Sequence, residues 1–137
     1  MSVGLLLITH TGIATNLLAT ANKMLSSYPA EIKALEVPLD APVEKIKAQA
    51  EKYIKDIDQG QGILILTDLY GSTPSNIGCG LLEIPDTRLI AGINLPMLVR
   101  VLNYSELNLD ELTLKAKSGG IDGIIQCNCK NKTQCQN

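Results

Sequence analysis

The chain has 137 residues, a formal net charge of −2, 45% apolar and 19% charged residues, the profile of one ordinary globular domain with enough chain to bury a core. It contains four Tyr but no Phe or Trp. Its core is therefore expected to be aliphatic, and the stacking platforms of single-stranded nucleic-acid binders are missing. No basic run offers a footprint for a phosphate backbone, so no nucleic-acid partner is expected. No apolar run reaches the roughly 20 residues of a membrane span, and no basic stretch precedes the first apolar one as in a signal peptide. The expected compartment is the cytoplasm.

"VGLLLIT" (3–9) is a continuous apolar run, as in a strand covered on both faces. Ile13, Leu17, Leu18, Ala21 and Leu25 then recur at helical spacing, and "EIKALEV" (31–37) predicts a second strand. In 41–57 the residues Val43, Ile46, Ala50, Tyr53, Ile54 and Ile57 form one helical stripe, with Pro42 expected in the first turn. "GILILT" (62–67) predicts a third strand, followed by the turn-rich "DLYGSTPSN" (68–76) and a short helix to about Leu82. "TRLIAGI" (87–93) predicts a fourth strand, helices are expected near 96–104 and 108–118, and "GIIQC" (123–127) reads as a last short strand. The domain is expected over 1–127, with 128–137 a polar tail. Alternating strands and helices with continuously apolar strands indicate an α/β protein, a three-layer sandwich around a mostly parallel sheet.

Ligands of such sheets bind beyond the carboxyl ends of the strands, where strand order reverses. His10, Asp68 and Asn94 each follow a predicted strand, so topology gathers them at one edge. His10 is the only histidine in the chain. As a turn residue or one satisfied by a backbone carbonyl it would have no role. A metal site needs several ligands and there is no second imidazole, so neither metal nor cofactor is expected. No G-x-S-x-G elbow supports a serine triad. Covalent catalysis by the imidazole remains, with Asp68 either fixing its tautomer or capping a turn. "YGSTPSN" offers a glycine, hydroxyls on Ser72, Thr73 and Ser75, and a proline that suits a helix start, where exposed N–H groups hold small anions. Both glycine-rich nucleotide signatures are absent.

"LLLITHTGIA" (5–14), "ILILTDLYGSTPSN" (63–76) and "IAGINLPML" (90–98) together resemble the IIA domain of the mannose family of the bacterial sugar phosphotransferase system. The resemblance covers about residues 2 to 126. It implies a phosphocarrier that takes a phosphoryl group from the histidine phosphocarrier protein and passes it to a histidine of a IIB component, which phosphorylates sugar during uptake. His10 would then be the phosphorylated nucleophile, Asp68 its orienting partner, and Thr73, Ser72, Gly71 and Thr11 the surroundings of the phosphoryl group. The resemblance also implies a homodimer that exchanges a C-terminal antiparallel strand, here "GIIQC", and contact with the membrane only through a permease complex. A phosphoryl group beside Asp68 would remain labile through charge repulsion, as a relay requires.

The chain departs from the family pattern in three places. Thr11 stands where glycine commonly follows the histidine, and Gly71-Ser72 replaces a Gly-Gly pair. The tail "CNCKNKTQC" (127–135) has no family counterpart. Its Cys127, Cys129 and Cys135 suit a soft metal or a redox element, or belong to a loose tail without a role. Cys79 is expected as a small buried residue. Two other functions share these features: a free-standing regulatory IIA whose phosphorylation state controls a partner protein, and the multiphosphoryl donor of dihydroxyacetone kinase.

Overall fold

The apolar runs form the centre of the molecule. A computed structural model describes residues 1–128 of the chain. Its strands are β1 (Gly4–His10), β2 (Ile32–Val37), β3 (Ile63–Thr67) and β4 (Thr87–Ala91), and they make a four-stranded sheet in the order β2-β1-β3-β4. All three pairings are parallel. The helices are α1 (Ala14–Met24), α2 (Val43–Ile57), α3 (Thr73–Gly80), α4 (Leu95–Asn103) and α5 (Leu109–Asp122), with a 3₁₀ turn over Leu81–Glu83.

The two-residue period of a strand divides each apolar run between two cores. Leu5 and Leu7 of β1, with Leu64 and Leu66 of β3, pack with Ala21 of α1, Leu98 and Val101 of α4, and Leu112 and Ala116 of α5. Leu6, Ile8, Ile63 and Ile65 face the opposite side, against Ala50, Ile54 and Ile57 of α2 and Ile77 of α3. Helices therefore cover both faces of the sheet, giving the expected three layers. Burying each of these Leu or Ile side chains contributes about 1.5–3 kcal/mol. Two glycines let backbones approach at the interfaces. A Cβ on Gly4 would lie 2.8 Å from the Ile57 carbonyl oxygen, and one on Gly78 would lie 2.6 Å from Leu89 Cδ1.

The structure differs from expectation in four places. Helix α5 runs on to Asp122 through Gly119 and Gly120. These glycines are packing surfaces rather than a stop signal: Cβ atoms there would meet Arg100 Cβ and Met97 Cε of α4, each at 2.8 Å. Pro42 sits at the N-cap of α2, just outside the first turn. Residues 124–128 have no regular structure, so "GIIQC" is not a strand of its own chain's sheet. A strand requires a neighbour for its backbone groups, and this segment pairs with neither edge of the four-stranded sheet. Finally, Cys79 is exposed. Pro74, Ser75, Ile77 and Gly78 turn inward along α3, which leaves Cys79 on the solvent side with Asn76. Cys127 is also exposed, while Cys129 and Cys135 lie outside the described residues.

Candidate functional site

Because the strand order is β2-β1-β3-β4, the chain leaves β1 toward one edge of the sheet and later returns to its other side as β3. The carboxyl ends of β1 and β3 therefore form the point where strand order reverses, the usual ligand crevice of such sheets. His10 is the last residue of β1, and Asp68 directly follows β3. The two are in contact. Asp68 Oδ2 accepts the His10 backbone N–H at 2.9 Å and lies 2.7 Å from His10 Nδ1. Asp68 Oδ1 accepts the Leu69 N–H at 2.9 Å. The aspartate side chain is 10% exposed and the histidine side chain 33% exposed.

Burial alone would raise the Asp68 carboxyl pKa. The His10 backbone N–H, the His10 ring and the Leu69 N–H outweigh it and hold the carboxyl below the ordinary carboxylate range. An ionised carboxylate can only accept, so the short bond to Nδ1 places the ring hydrogen there. Nε2 is then the nitrogen with an unshared lone pair, and it has no hydrogen-bond partner among the described residues. The result is a half-exposed imidazole with a fixed tautomer, a free nucleophilic nitrogen and a counter-charge for the cation formed when the ring attacks an electrophile.

The turn after β1 is tied down from several directions. Thr9 Oγ1 donates to the His10 carbonyl at 2.8 Å and accepts the Ala14 N–H at 2.9 Å. Gly12 adopts φ +90°, a conformation that side chains avoid. Its carbonyl accepts from Asn16 Nδ2 at 2.7 Å. The Gly12 and Thr15 N–H groups donate to the two carboxylate oxygens of Glu36, each at 3.0 Å. Thr11 is exposed within this turn. Neither Glu36 nor Thr9 was singled out from the sequence. Both are polar residues near the carboxyl ends of their strands, β1 and β2, at the edge where His10 and Asp68 meet.

On the other side, the segment after Asp68 winds into α3. Gly71 takes φ +86°, and its N–H reaches Ser75 Oγ at 3.3 Å. Ser72 is the N-cap of α3, but its hydroxyl donates back to the Leu69 carbonyl at 2.6 Å. Asn76 N–H bonds the Ser72 carbonyl, Pro74 has no N–H, and the N–H groups of Thr73 and Ser75, as at other helix starts, have no partner among the described residues. Among the described residues, none of Gly71, Ser72 and Thr73 bonds to His10 or Asp68, and Thr73 lines a hollow between α2 and α3 with Val43 and Lys47. Asn94 has another task. It accepts the Met97 N–H at 2.9 Å as N-cap of α4 and donates to the Gly120 carbonyl at 3.0 Å, fastening α4 to α5.

Residues 4–117 match a family model described as the PTS system fructose IIA component. The chain belongs to the IIA-component family of the sugar phosphotransferase system. It is 30% identical over 130 residues to the PTS system mannose-specific EIIAB component of Escherichia coli strain K12, an alignment covering 90% of this chain and 39% of that protein. It is 40% identical over 83 residues to the PTS system fructose-specific EIIA component of Bacillus subtilis strain 168, covering 55% of this chain and 56% of the relative. The chain thus spans about two fifths of the E. coli relative. Among solved structures, the mannose/sorbose-specific IIA subunit from Enterococcus faecalis superposes with a TM-score of 0.82 at 23% identity, covering 93% and 96% of the two chains. A Streptococcus agalactiae EIIA component superposes with a TM-score of 0.79 at 19% identity, covering 90% and 96%. At these identities the likeness is one of fold. Among the described residues, no helix of this IIA protein is long and apolar enough to cross a membrane.

Proposed function

We propose that this protein is a phosphocarrier in which His10 accepts a phosphoryl group on Nε2 from the histidine phosphocarrier protein and passes it to a IIB histidine. The observation that carries this reading is the Asp68–His10 contact at 2.7 Å, with the Nε2 lone pair left unused. In the transfer, the Nε2 lone pair forms a bond to phosphorus as the donor's N–P bond breaks, and that electron pair returns to the donor imidazole. His10 keeps its Nδ1 hydrogen, so no proton need move. The His10 ring becomes cationic, and Asp68 stabilises it.

The unpaired N–H groups at the start of α3, with the Thr73 hydroxyl, are the seat for the phosphoryl oxygens. At the start of α1, by contrast, the Ala14 and Thr15 N–H groups are already taken by Thr9 and Glu36. Ser72 and Gly71 shape the approach to α3, and Thr11 flanks the histidine on the opposite side. The arriving phosphoryl group adds close to two negative charges beside Asp68, which keeps the group transferable. The IIB partner is in keeping with the E. coli relative, whose name joins the A and B components.

The protein acts as a homodimer in which residues 123–127 pair with the free edge of the partner subunit's β4. Two observations support this. β4 has one hydrogen-bonded neighbour, and its residues from Arg88 to Ala91 are only half buried. Ile124 and Ile125, at 77% and 64% exposure, are left uncovered in the single chain.

Labelling with radioactive phosphoenolpyruvate and the two general upstream proteins tests the reading. The wild-type protein takes label and His10→Ala does not. A wild-type protein that stays unlabelled, or a His10→Ala variant that is labelled, rules it out.

A further inference from the structure

We propose that Glu36 is a positioning residue for the phosphoryl-accepting histidine, holding the turn that leads from His10 into α1. The inference rests on the phosphocarrier reading above. In the parallel register of β1 and β2, Glu36 stands opposite Thr9, one residue before His10. From there its carboxylate reaches across the sheet edge to the Gly12 and Thr15 N–H groups, one on each oxygen, both at 3.0 Å. The Gly12 bond is the largest cause of a Glu36 carboxyl pKa held below its ordinary value, so the side chain is a charged acceptor for both N–H groups.

Helix α1 cannot do this for itself. Its N-cap is Ile13, which has no side-chain acceptor, and its first turn carries no acid. Glu36 therefore supplies from a neighbouring strand the capping carboxylate that helix starts usually find locally. Packing does not substitute for it. No heavy atom lies within 4 Å of the position a Gly12 Cβ would take, so hydrogen bonds hold the left-handed turn in place. With Ala14 N–H on Thr9 and Gly12 and Thr15 on Glu36, the first two N–H groups of α1 and the one at the turn before it are held inside the protein.

The test compares wild-type protein with Glu36→Gln, which keeps the shape but replaces one acceptor by an amide donor facing an N–H. Phosphorylation of His10 is followed with two donors: the phosphorylated histidine phosphocarrier protein, and phosphoramidate, a small donor that needs no docking surface. Glu36→Gln slows both by roughly tenfold, the scale expected when a reacting group loses a fraction of its alignment. Thermal unfolding shifts by no more than about 4 °C, since the site is half exposed. Amide proton signals of Gly12 and Thr15 move upfield in the variant while those of the distant Leu5 and Ile63 stay. Wild-type rates with both donors overturn the proposal. Slowing with the protein donor alone also overturns it, because that is the signature of a docking residue. Unmoved amide signals overturn the assigned bonds. A wild-type protein that accepts from phosphoramidate but not from the phosphocarrier protein defeats the phosphocarrier reading while the small donor still judges Glu36.

Discussion

Replacing Asp68 by Asn removes one charge while nearly keeping the shape of a side chain that accepts three N–H groups. An amide has one acceptor oxygen. If that oxygen faces His10, the NH2 group opposes the Leu69 N–H. If the amide flips, its NH2 faces the His10 backbone N–H and forces Nδ1 to accept, which moves the ring hydrogen to Nε2 and blocks the nucleophile. Charged hydrogen bonds contribute about 1.5–3 kcal/mol and neutral ones about 0.5–1.5 kcal/mol. The two bonds to His10 together lose about 2 kcal/mol of support for the ring as it becomes cationic, or roughly a 30-fold slower transfer. The unmatched donor also costs about 1–2 kcal/mol of stability, lowering the midpoint of thermal unfolding by roughly 4–8 °C. Rapid-quench measurement of single-turnover phosphoryl transfer from the phosphocarrier protein reads the first effect, and calorimetry reads the second. A variant that transfers at the wild-type rate, folded or partly destabilised, refutes the assignment of Asp68 to the reaction.

Asp68 and Glu36 both have folded carboxyl pKa values below their ordinary ones. Across the carboxylate range the unfolded chain therefore binds more protons than the folded one, so stability rises with pH there. The contribution is full above the unfolded values, about 3.9 for Asp and 4.3 for Glu. It is lost as pH falls through the lower folded values. Urea unfolding between about pH 6 and pH 3 should show this decline in wild-type protein and a shallower one in Asp68→Asn or Glu36→Gln; identical slopes would argue that neither carboxylate is held as described. Gly4→Ala places a Cβ 2.8 Å from a fixed carbonyl oxygen of α2, and should cost about 1–3 kcal/mol in a urea titration. Ile125→Asp buries a charge in the proposed exchanged strand, so sedimentation should report a monomer in place of a dimer with His10 phosphorylation retained. A variant that sediments as the wild type does removes 123–127 from the interface.

The parts of the fold set by burial were readable from the sequence. The continuous apolar runs of β1 and β3 became the two central strands, because a parallel sheet covered on both faces removes every side chain of such a run from water. His10 and Asp68, 58 residues apart in the chain, could be brought together in advance because strand topology determines where carboxyl ends lie. Asn94 sits at the same edge by the same logic, yet it serves the α4–α5 joint. Edge position identifies candidates, and hydrogen-bond partners decide between them.

What escaped the sequence depends on contacts between distant segments. The helix expected near 108–118 continues through Gly119 and Gly120, which serve as contact surfaces for Arg100 and Met97. Cys79 has a buried residue's chemistry but falls on the outer face of α3 by its helical angle. Glu36 is an ordinary polar position in an alternating strand, and only the register opposite Thr9 aims it at the turn beside His10. The segment 123–127 has the composition of a strand, yet it joins neither free edge of its own chain's sheet.

The central claim is that a phosphoryl group is carried on Nε2 of His10 while Nδ1 stays bonded to Asp68. Nitrogen-15 and phosphorus-31 NMR of the phosphorylated protein, with its one histidine labelled in the ring, reads this directly. The account predicts phosphorus coupling to Nε2, with Nδ1 still protonated and hydrogen-bonded. Coupling to Nδ1, or a phosphorylated residue other than His10, contradicts it.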